Sequence, residues 1–266
     1  MNASDKKQAT GQLLHSLQRR PTRRGFLAGA TAGATGLTMA GATMLTHRPT
    51  FATSTSTGMT HGVNSDTIVS ILTVARTAEQ LAVTFYTNGI ANADKLGISG
   101  QALDALKAAL IEEQIHQKFF TAHGGASLAD TFSFPSGAKT FTDLSTFIAT
   151  QQQLEGVFDS AFLVAIMEFG MLGRLDLSQI AGQIATVEAE HRALGRMIGG
   201  LTPANNWAYS PVLLGSVGDA PALVQKAGYL SPMAGNSYKY QEVSTSDGGV
   251  TQTVPYAVPS TVGGLG

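Results

Sequence analysis

Two stretches of the sequence repeat one arrangement of metal-ligating residue types. Glu113 is followed three residues later by His116, and Glu188 is followed at the same distance by His191. In a helix, residues i and i+3 lie on one face, so each pair can direct a carboxylate and an imidazole at one point. The chain contains no cysteine, which leaves oxygen and imidazole as its strong ligands, a set that suits iron or manganese.

Two further glutamates extend the pattern to six residues. Glu79 and Glu155 lie near the middle of predicted helices, as Glu113 and Glu188 do. Each of the four glutamates is about 16 to 18 residues from the turn of its predicted helical hairpin, so at 1.5 Å per residue they lie at nearly the same level. Isolated buried carboxylates are costly, and a shared cation would compensate them. The candidate metal ligands, which are also the candidate catalytic residues, are therefore Glu79, Glu113, His116, Glu155, Glu188 and His191.

Apolar residues at helical spacing predict the elements that position these ligands. The predicted helices cover about residues 66–90, 100–123, 143–170 and 175–198, with connections that are short, long and short. The middle connection can extend about 60 Å, enough to pass along helices that are about 36 Å long. This pattern predicts an all-α four-helix bundle with one long crossover over residues 65–200.

The remaining C-terminal sequence, residues 201–266, is rich in proline, glycine and aromatic residues. We predict an irregular extension with a short helix from about Asp219 to Lys226. Residues 238–245 and 250–257 are predicted to form a hairpin around the turn residues between them. No residue type in this extension suggests chemistry of its own, so it is expected either to pack against the bundle or to trail from it.

The N-terminal sequence is typical of an export signal. Residues 22–27, TRRGFL, resemble the twin-arginine motif and precede a Gly/Ala-rich apolar run. They predict a twin-arginine signal peptide over residues 1–52, read by the export machinery, and a linker over residues 53–64. The alternative is an uncleaved membrane anchor at residues 26–45, although glycine, alanine and threonine make a poor span. The expected location is the periplasm or the outside of the cell, with no stable membrane span after signal removal.

Charge and composition exclude several classes of function. Without residues 1–52 the chain carries 10 Lys and Arg against 17 Asp and Glu, so it lacks the basic surface that a nucleic-acid partner needs. The absence of cysteine excludes disulfides, iron–sulfur clusters and a cysteine nucleophile.

Four sequence stretches resemble the bundle helices of exported bacterial ferritin-like domain proteins, a branch of the ferritin-like di-iron carboxylate superfamily that includes a desiccation-related group. They are AEQLAVTFY, IEEQIHQKFF, LEGVFDSAF and IATVEAEHRAL. The resemblance implies a centre of two Fe or Mn ions. It further implies that Glu79 and Glu155 are terminal carboxylates and that Glu113 and Glu188 bridge the ions, with His116 and His191 as the imidazole ligands.

Two functions follow as hypotheses from this resemblance. The first is a redox protein that oxidises Fe(II) or reduces O₂ or peroxide. The second is a non-catalytic bundle that binds metal or protects the cell envelope under stress or desiccation. The sequence leaves the oligomeric state open.

Neighbouring polar residues have weaker predicted roles. Glu112 and Glu190 are expected to point to solvent, because each lies one residue away from a ligand position. Asp159, one turn after Glu155, is a candidate for orienting a histidine N–H group. Tyr86 is expected mainly to pack, with a hydrogen bond to a ligand or a radical role as the alternative. Surface positions or no involvement in the site are expected for Glu168, Arg174, His61 and His123.

Overall fold

The computed structural model describes residues 67–246, 248–251 and 253–255. The predicted twin-arginine signal at residues 1–52 and the linker at residues 53–64, which includes His61, lie outside the described residues.

Four long helices form the bundle, and two short helices accompany them. The described helices are α1 (Ile68–Ala91), α2 (Ala93–Leu96), α3 (Gln101–Ala122), α4 (Leu144–Met171), α5 (Leu175–Ile198) and α6 (Ala220–Lys226). Helix α1 packs mainly along α3, and α4 packs mainly along α5. The connection between the two helical hairpins is long, whereas the turns within them are short. The predicted all-α bundle with one long crossover is thereby confirmed.

Local signals in the sequence define where these helices begin and turn. The Thr67 hydroxyl accepts a hydrogen bond of 3.2 Å from the backbone N–H of Ser70 at the start of α1. The Asp143 carboxylate accepts one of 2.9 Å from Thr146 at the start of α4. Both contacts satisfy N–H groups that have no partner within their helix. Gly173, with a φ of 73°, supplies the left-handed residue that ends α4 and permits the turn into α5.

The crossover is held to the bundle by aromatic packing. It contains the short strand β1 (Thr131–Phe132) and a 3₁₀ turn at Gly137–Phe141. Phe132, Phe134 and Phe141 are buried, and both Phe134 and Phe141 contact the ring of Phe85 in α1. These contacts bury large apolar surfaces and fix the path of the crossover between the two hairpins.

The C-terminal extension packs against the bundle and the crossover rather than forming the predicted hairpin. Its strand β2 (Tyr238–Lys239) pairs antiparallel with β1 of the crossover, not with the described residues of the 250–257 segment. The Asn236 side chain brackets this pairing, because it accepts from Phe134 N at 3.0 Å and donates to Phe134 O at 2.9 Å. The hairpin prediction is wrong in its partner, since a strand pattern does not specify which free edge the strand will join. The predicted short helix is present as α6.

Helix α1 has the length and apolar composition to cross a membrane, the only described helix that does. Its most apolar window has a mean hydropathy of 1.3, and 61% of that window is buried inside the protein. The helix also carries the buried Glu79. Its apolar character is therefore accounted for by its position in the core of the bundle.

Candidate metal centre

The four bundle helices bring all six predicted ligands together at mid-bundle. Helices α1 and α4 contribute one glutamate each, whereas α3 and α5 each contribute a glutamate and the histidine one turn later. The histidine and glutamate of each pair share a face because they are three residues apart. Five side chains are at most 1% exposed, and His116 is 12% exposed.

The six residues form two overlapping groups of possible ligand atoms. One group contains Glu79 and His116, and the other contains Glu155 and His191. Both groups include Glu113 and Glu188. Within each group the ligand atoms lie within 4.8 Å of one another. Sharing of these two glutamates is what their assignment as bridging ligands requires. We call the two groups the His116 half and the His191 half.

In the His191 half, the imidazole directs its Nδ1 atom at three carboxylates. Nδ1 lies 3.1 Å from Glu113 Oε1, 3.7 Å from Glu188 Oε2 and 4.0 Å from Glu155 Oε2. On the other side of the ring, Nε2 lies 2.7 Å from Glu112 Oε2. An ionised carboxylate only accepts, so the ring donates this hydrogen bond and keeps Nδ1 available to a metal.

In the His116 half, the imidazole also directs Nδ1 inward. This atom lies 3.7 Å from Glu79 Oε1, 3.7 Å from Glu113 Oε2 and 3.8 Å from Glu188 Oε1. The two histidines therefore face opposite oxygens of the shared carboxylates of Glu113 and Glu188. One nitrogen and three carboxylates in each half make a mixed nitrogen and oxygen donor set that suits iron or manganese.

Most of the candidate donor atoms lack hydrogen-bond partners, as expected for a site that binds metal ions. Buried atoms without a hydrogen bond include both carboxylate oxygens of Glu79, Glu113 and Glu188, Oε2 of Glu155, and Nδ1 of both histidines. Leaving such groups unsatisfied in a protein interior costs free energy. Two divalent cations would supply four positive charges to balance the four carboxylates. The residues therefore fit a dinuclear centre.

Crowding of acidic groups shifts their pKa values. Burial, followed by repulsion from neighbouring carboxylates, raises the pKa of Glu79 and of Glu155 well above the usual range. Burial and the nearby Glu113 also raise the pKa of Glu188. Burial opposes ionisation of Glu113 too, but contacts with Glu79 and with both imidazoles hold its pKa below the usual range. Without metal, protons thus take part of the role that cations would have.

The same surroundings act on His191. Burial lowers the pKa of an imidazole, but the contacts with Glu112, Glu113 and Glu188 outweigh burial and raise the pKa of His191 well above its ordinary value. This shift favours the protonated form of His191 in the metal-free site, and an ion that bound Nδ1 would have to displace the proton there.

Tyr86 and Gln151 support the His191 half. The Tyr86 hydroxyl donates to Glu155 Oε1, and burial, together with the Glu155 charge, raises the pKa of Tyr86 well above its usual range. Gln151 Nε2 lies 3.2 Å from the Tyr86 hydroxyl and donates at 2.7 Å to the backbone carbonyl of His191. Tyr86 is packed in the core as expected, and its hydroxyl also makes the hydrogen bond to a candidate ligand that was the alternative.

Glu112, and not Asp159, has the histidine-orienting role that was predicted for Asp159. Glu112, expected in solvent, orients His191, and its side chain is 30% exposed. Asp159, expected to orient a histidine, instead faces Arg192 and accepts a hydrogen bond from Ser210, while burial raises its pKa. Spacing within α3 gives no signal for the contact of Glu112, because its partner lies on α5, 79 residues away in the chain.

Four other predicted positions are resolved by the structure. Glu168 is buried and accepts a hydrogen bond of 3.2 Å from Val217 N, so its predicted surface position is wrong. Glu190 and His123 are exposed, and Arg174 forms an exposed ion pair of 2.7 Å with Asp176. None of these four residues belongs to the two ligand groups.

Comparison with known proteins supports the assignment of the fold. The sequence model of a family described as a ferritin-like domain matches residues 67–200, half of the chain and all six candidate ligands. Comparisons with curated proteins and with solved structures give no match.

Proposed function

The chain belongs to the ferritin-like domain family, and from this premise we propose that it is a redox protein with a dinuclear iron or manganese centre. The proposed reactions are oxidation of Fe(II) as a substrate, or reduction of O₂ or peroxide. The observation that carries this proposal is the pair of overlapping donor groups, whose buried oxygen and nitrogen atoms lack hydrogen-bond partners.

Each residue has a defined part in this proposal. Glu79 with His116, and Glu155 with His191, would each hold one ion, and Glu113 with Glu188 would contact both. Two such ions, when bound, can accept and pass on two electrons at neighbouring positions. Glu112 retains the Nε2 proton of His191 and thereby orients Nδ1, as carboxylates do for metal-binding histidines.

The protein environment suits redox chemistry in two further ways. Burial of five of the six side chains keeps bulk water away from the donors, which strengthens the electrostatic interactions there. The hydrogen bond from Tyr86 restrains Glu155, whereas Glu79 has no hydrogen-bond partner for either oxygen. Of these two carboxylates, Glu155 is therefore the one held by a hydrogen bond from a residue outside the six candidate ligands.

A non-catalytic role in metal binding or envelope protection is the second candidate function. It is favoured by the C-terminal segment, which lies over α3 beside the site, with Val243 N donating to Gln114 at 2.9 Å. A covered centre is suited to retaining metal. Rapid reaction with an oxidant distinguishes the first function from this one.

We also propose that the protein is exported by the twin-arginine route and belongs to the desiccation-related group. The support is the sequence TRRGFL at residues 22–27 and the apolar run that follows it. Because this route is associated with folded cargo, metal could be loaded before export. Replacement of Arg23 and Arg24 by lysine should retain the protein inside the cell, as measured by fractionation.

Metal analysis followed by rapid mixing tests the redox proposal. The isolated full chain is expected to hold about two Fe or Mn ions, the number that its paired donor groups suit. The reduced form should change its absorbance rapidly on mixing with O₂ or peroxide. Glu113→Ala should abolish metal binding and reaction, whereas Glu190→Ala, at an exposed position, should preserve both. Bound metal without any reaction would support the non-catalytic function, and absence of bound metal would overturn both.

A further inference from the structure

One face of the metal centre opens onto a cavity. His116 is the candidate ligand with measurable exposure, at 12% of its side chain, and its ring helps line a space of about 380 Å³ between α3 and α5. Glu112 lines the same space. We call this space the His116 cavity. It borders the candidate ligand His116 and also Glu112, the hydrogen-bond partner of His191.

The walls of the His116 cavity are mainly apolar, with polar groups at a few positions. Apolar side chains come from α3 and α5, among them Ile115, Phe119, Ile184 and Val187. Glu112 is the one carboxylate among the described lining residues, and these include no lysine or arginine. Glu112 Oε2 contacts His191, but the Glu112 side chain is 30% exposed, so it is the wall group that would attract the positive end of a ligand with an apolar body.

The C-terminal segment forms the outer wall. Val250, Val254 and Pro255 line the cavity opposite the helices. Preceding residues fasten the segment to α3, because the buried Gln114 donates to the Tyr240 hydroxyl at 3.0 Å and accepts from Val243 N at 2.9 Å. These hydrogen bonds hold the preceding part of the segment on α3, whereas Val254 is 67% exposed, so the cavity remains partly open to solvent.

The size of the cavity distinguishes between classes of ligand. O₂, peroxide or a single metal ion needs space comparable to one water molecule, about 30 Å³. The observed 380 Å³ instead lies in the range of about 300–1,000 Å³ that binds small organic molecules. A path dedicated to metal ions would also be expected to present more oxygen ligands than these walls contain.

We propose that the His116 cavity is a binding site for a small organic cation with an apolar body, such as an aryl-alkylamine. The positive end would lie at Glu112 and the body between α3 and α5. Binding by itself depends only on the cavity. The role of the ligand as a substrate beside the metal centre rests on the proposed redox function.

Calorimetric titration of the full chain with 2-phenylethylamine tests the site, with 3-phenylpropanoate as the probe of similar body and opposite charge. We expect saturable binding of one amine, at least about tenfold tighter than the acid, which corresponds to about 1.4 kcal/mol. In manganese-loaded protein, the NMR signals of the bound amine should broaden, because the cavity adjoins His116. Absence of saturable amine binding, or equal binding of amine and acid, would overturn the proposal.

Two tryptophan variants locate the binding. Thr186 lines the cavity from an exposed position on α5, so Thr186→Trp should occupy the space and weaken amine binding at least about tenfold with unchanged metal content. Met167, exposed on α4 and outside the cavity, provides the control variant Met167→Trp, which should bind normally. Unaltered amine binding by Thr186→Trp would contradict the assignment.

Amine titration of the metal-free protein, together with the redox measurement on the metal-loaded protein, separates this inference from the proposed function. Amine binding by a chain that shows no redox reaction would support the site and count against the redox function. A rapid redox reaction in a chain that does not bind the amine would have the opposite meaning.

Discussion

His191 and His116 each follow a glutamate by three residues, yet the structure surrounds the two histidines differently. His191 is buried, its Nε2 contacts Glu112 at 2.7 Å, and its backbone carbonyl accepts from Gln151. His116 is partly exposed and lines the His116 cavity. The glutamates differ in the same way, because Glu155 accepts from Tyr86 whereas neither oxygen of Glu79 has a hydrogen-bond partner.

On the proposed function, this difference predicts separate tasks for the two halves of the centre. Ligands held by hydrogen bonds need little reorganisation to bind an ion, so we expect the His191 half to bind the first metal more tightly. The His116 half adjoins the cavity, and we expect a substrate of the proposed centre to approach there. The repeated sequence pattern is thus associated with one hydrogen-bonded group of candidate ligands and one group that borders a cavity.

Removal of a shared ligand should weaken metal binding in both halves and should have the largest effect. Glu188→Ala takes a carboxylate from both halves, and we expect the affinity for both ions to fall about 100-fold or more. The binding free energy of structural zinc sites, about 10–16 kcal/mol, is shared by four ligands, so the loss of one ligand has an effect of this size. Metal titration calorimetry measures the loss. The matched control is Glu190→Ala, two residues away and exposed. Retention of one tightly bound ion in Glu188→Ala would show that this carboxylate is not shared.

As pH rises, the free energy of unfolding of the metal-free protein should fall, whereas the additional stability that metal confers should increase. Folded-state pKa values of Glu79, Glu155, Glu188 and His191 are raised, so the folded metal-free chain binds more protons than the unfolded chain. Its free energy of unfolding should fall as pH rises from the ordinary glutamate pKa through the raised values. The lowered pKa of Glu113 acts in the other direction only below the ordinary glutamate pKa.

Urea unfolding at a series of pH values measures this response. Metal ions compete with the same protons, so stabilisation by metal should grow over the pH range in which the metal-free chain weakens. Glu79→Gln and Glu155→Gln should each flatten the slope of the metal-free protein, and comparison of the two variants assigns the response to one half or the other. A metal-free protein that becomes more stable as pH rises would contradict the assigned directions.

Removal of the support at His191 should weaken one half alone. Glu112→Gln replaces the charged acceptor at His191 Nε2, and loss of such a partner typically lowers metal affinity about 10–100-fold. We expect this loss in a Glu79→Ala background, where the His191 half remains intact. In a Glu155→Ala background, which disables the His191 half, Glu112→Gln should have little effect on metal titrations. Equal losses in both backgrounds would mean that Glu112 acts on the whole centre.

The smallest effect is expected for removal of a surface ion pair between α3 and the C-terminal segment. Lys118 and Glu242 form an ion pair of 3.1 Å, with side chains that are 44% and 64% exposed. Lys118→Ala should change the free energy of unfolding by less than about 1 kcal/mol, because solvent screens exposed ion pairs. Metal content and proteolytic resistance of the C-terminal segment should be unchanged, since Gln114 still holds Tyr240 and Val243. Rapid proteolysis there would show that the cover depends on the ion pair.

The bundle and the six-residue cluster were predictable because they depend on local periodicity. Apolar spacing and glycine stop signals located α1, α3, α4 and α5 to within a few residues. The i, i+3 spacing placed each glutamate on the face of its histidine. Equal distances from the turns then aligned Glu79 with Glu113 and Glu155 with Glu188, because the rise per residue of a helix is constant.

The sequence by itself therefore determined the helices, the connection pattern and the convergence of the six side chains. Tertiary structure alone decided that Glu112 supports His191, that Tyr86 contacts Glu155 and that β2 joins the crossover. These contacts join residues that are far apart in the chain, and the rotation and lateral packing of whole helices select them. Local spacing aims a side chain towards the core, but the neighbouring helix and the covering segment decide what that side chain meets.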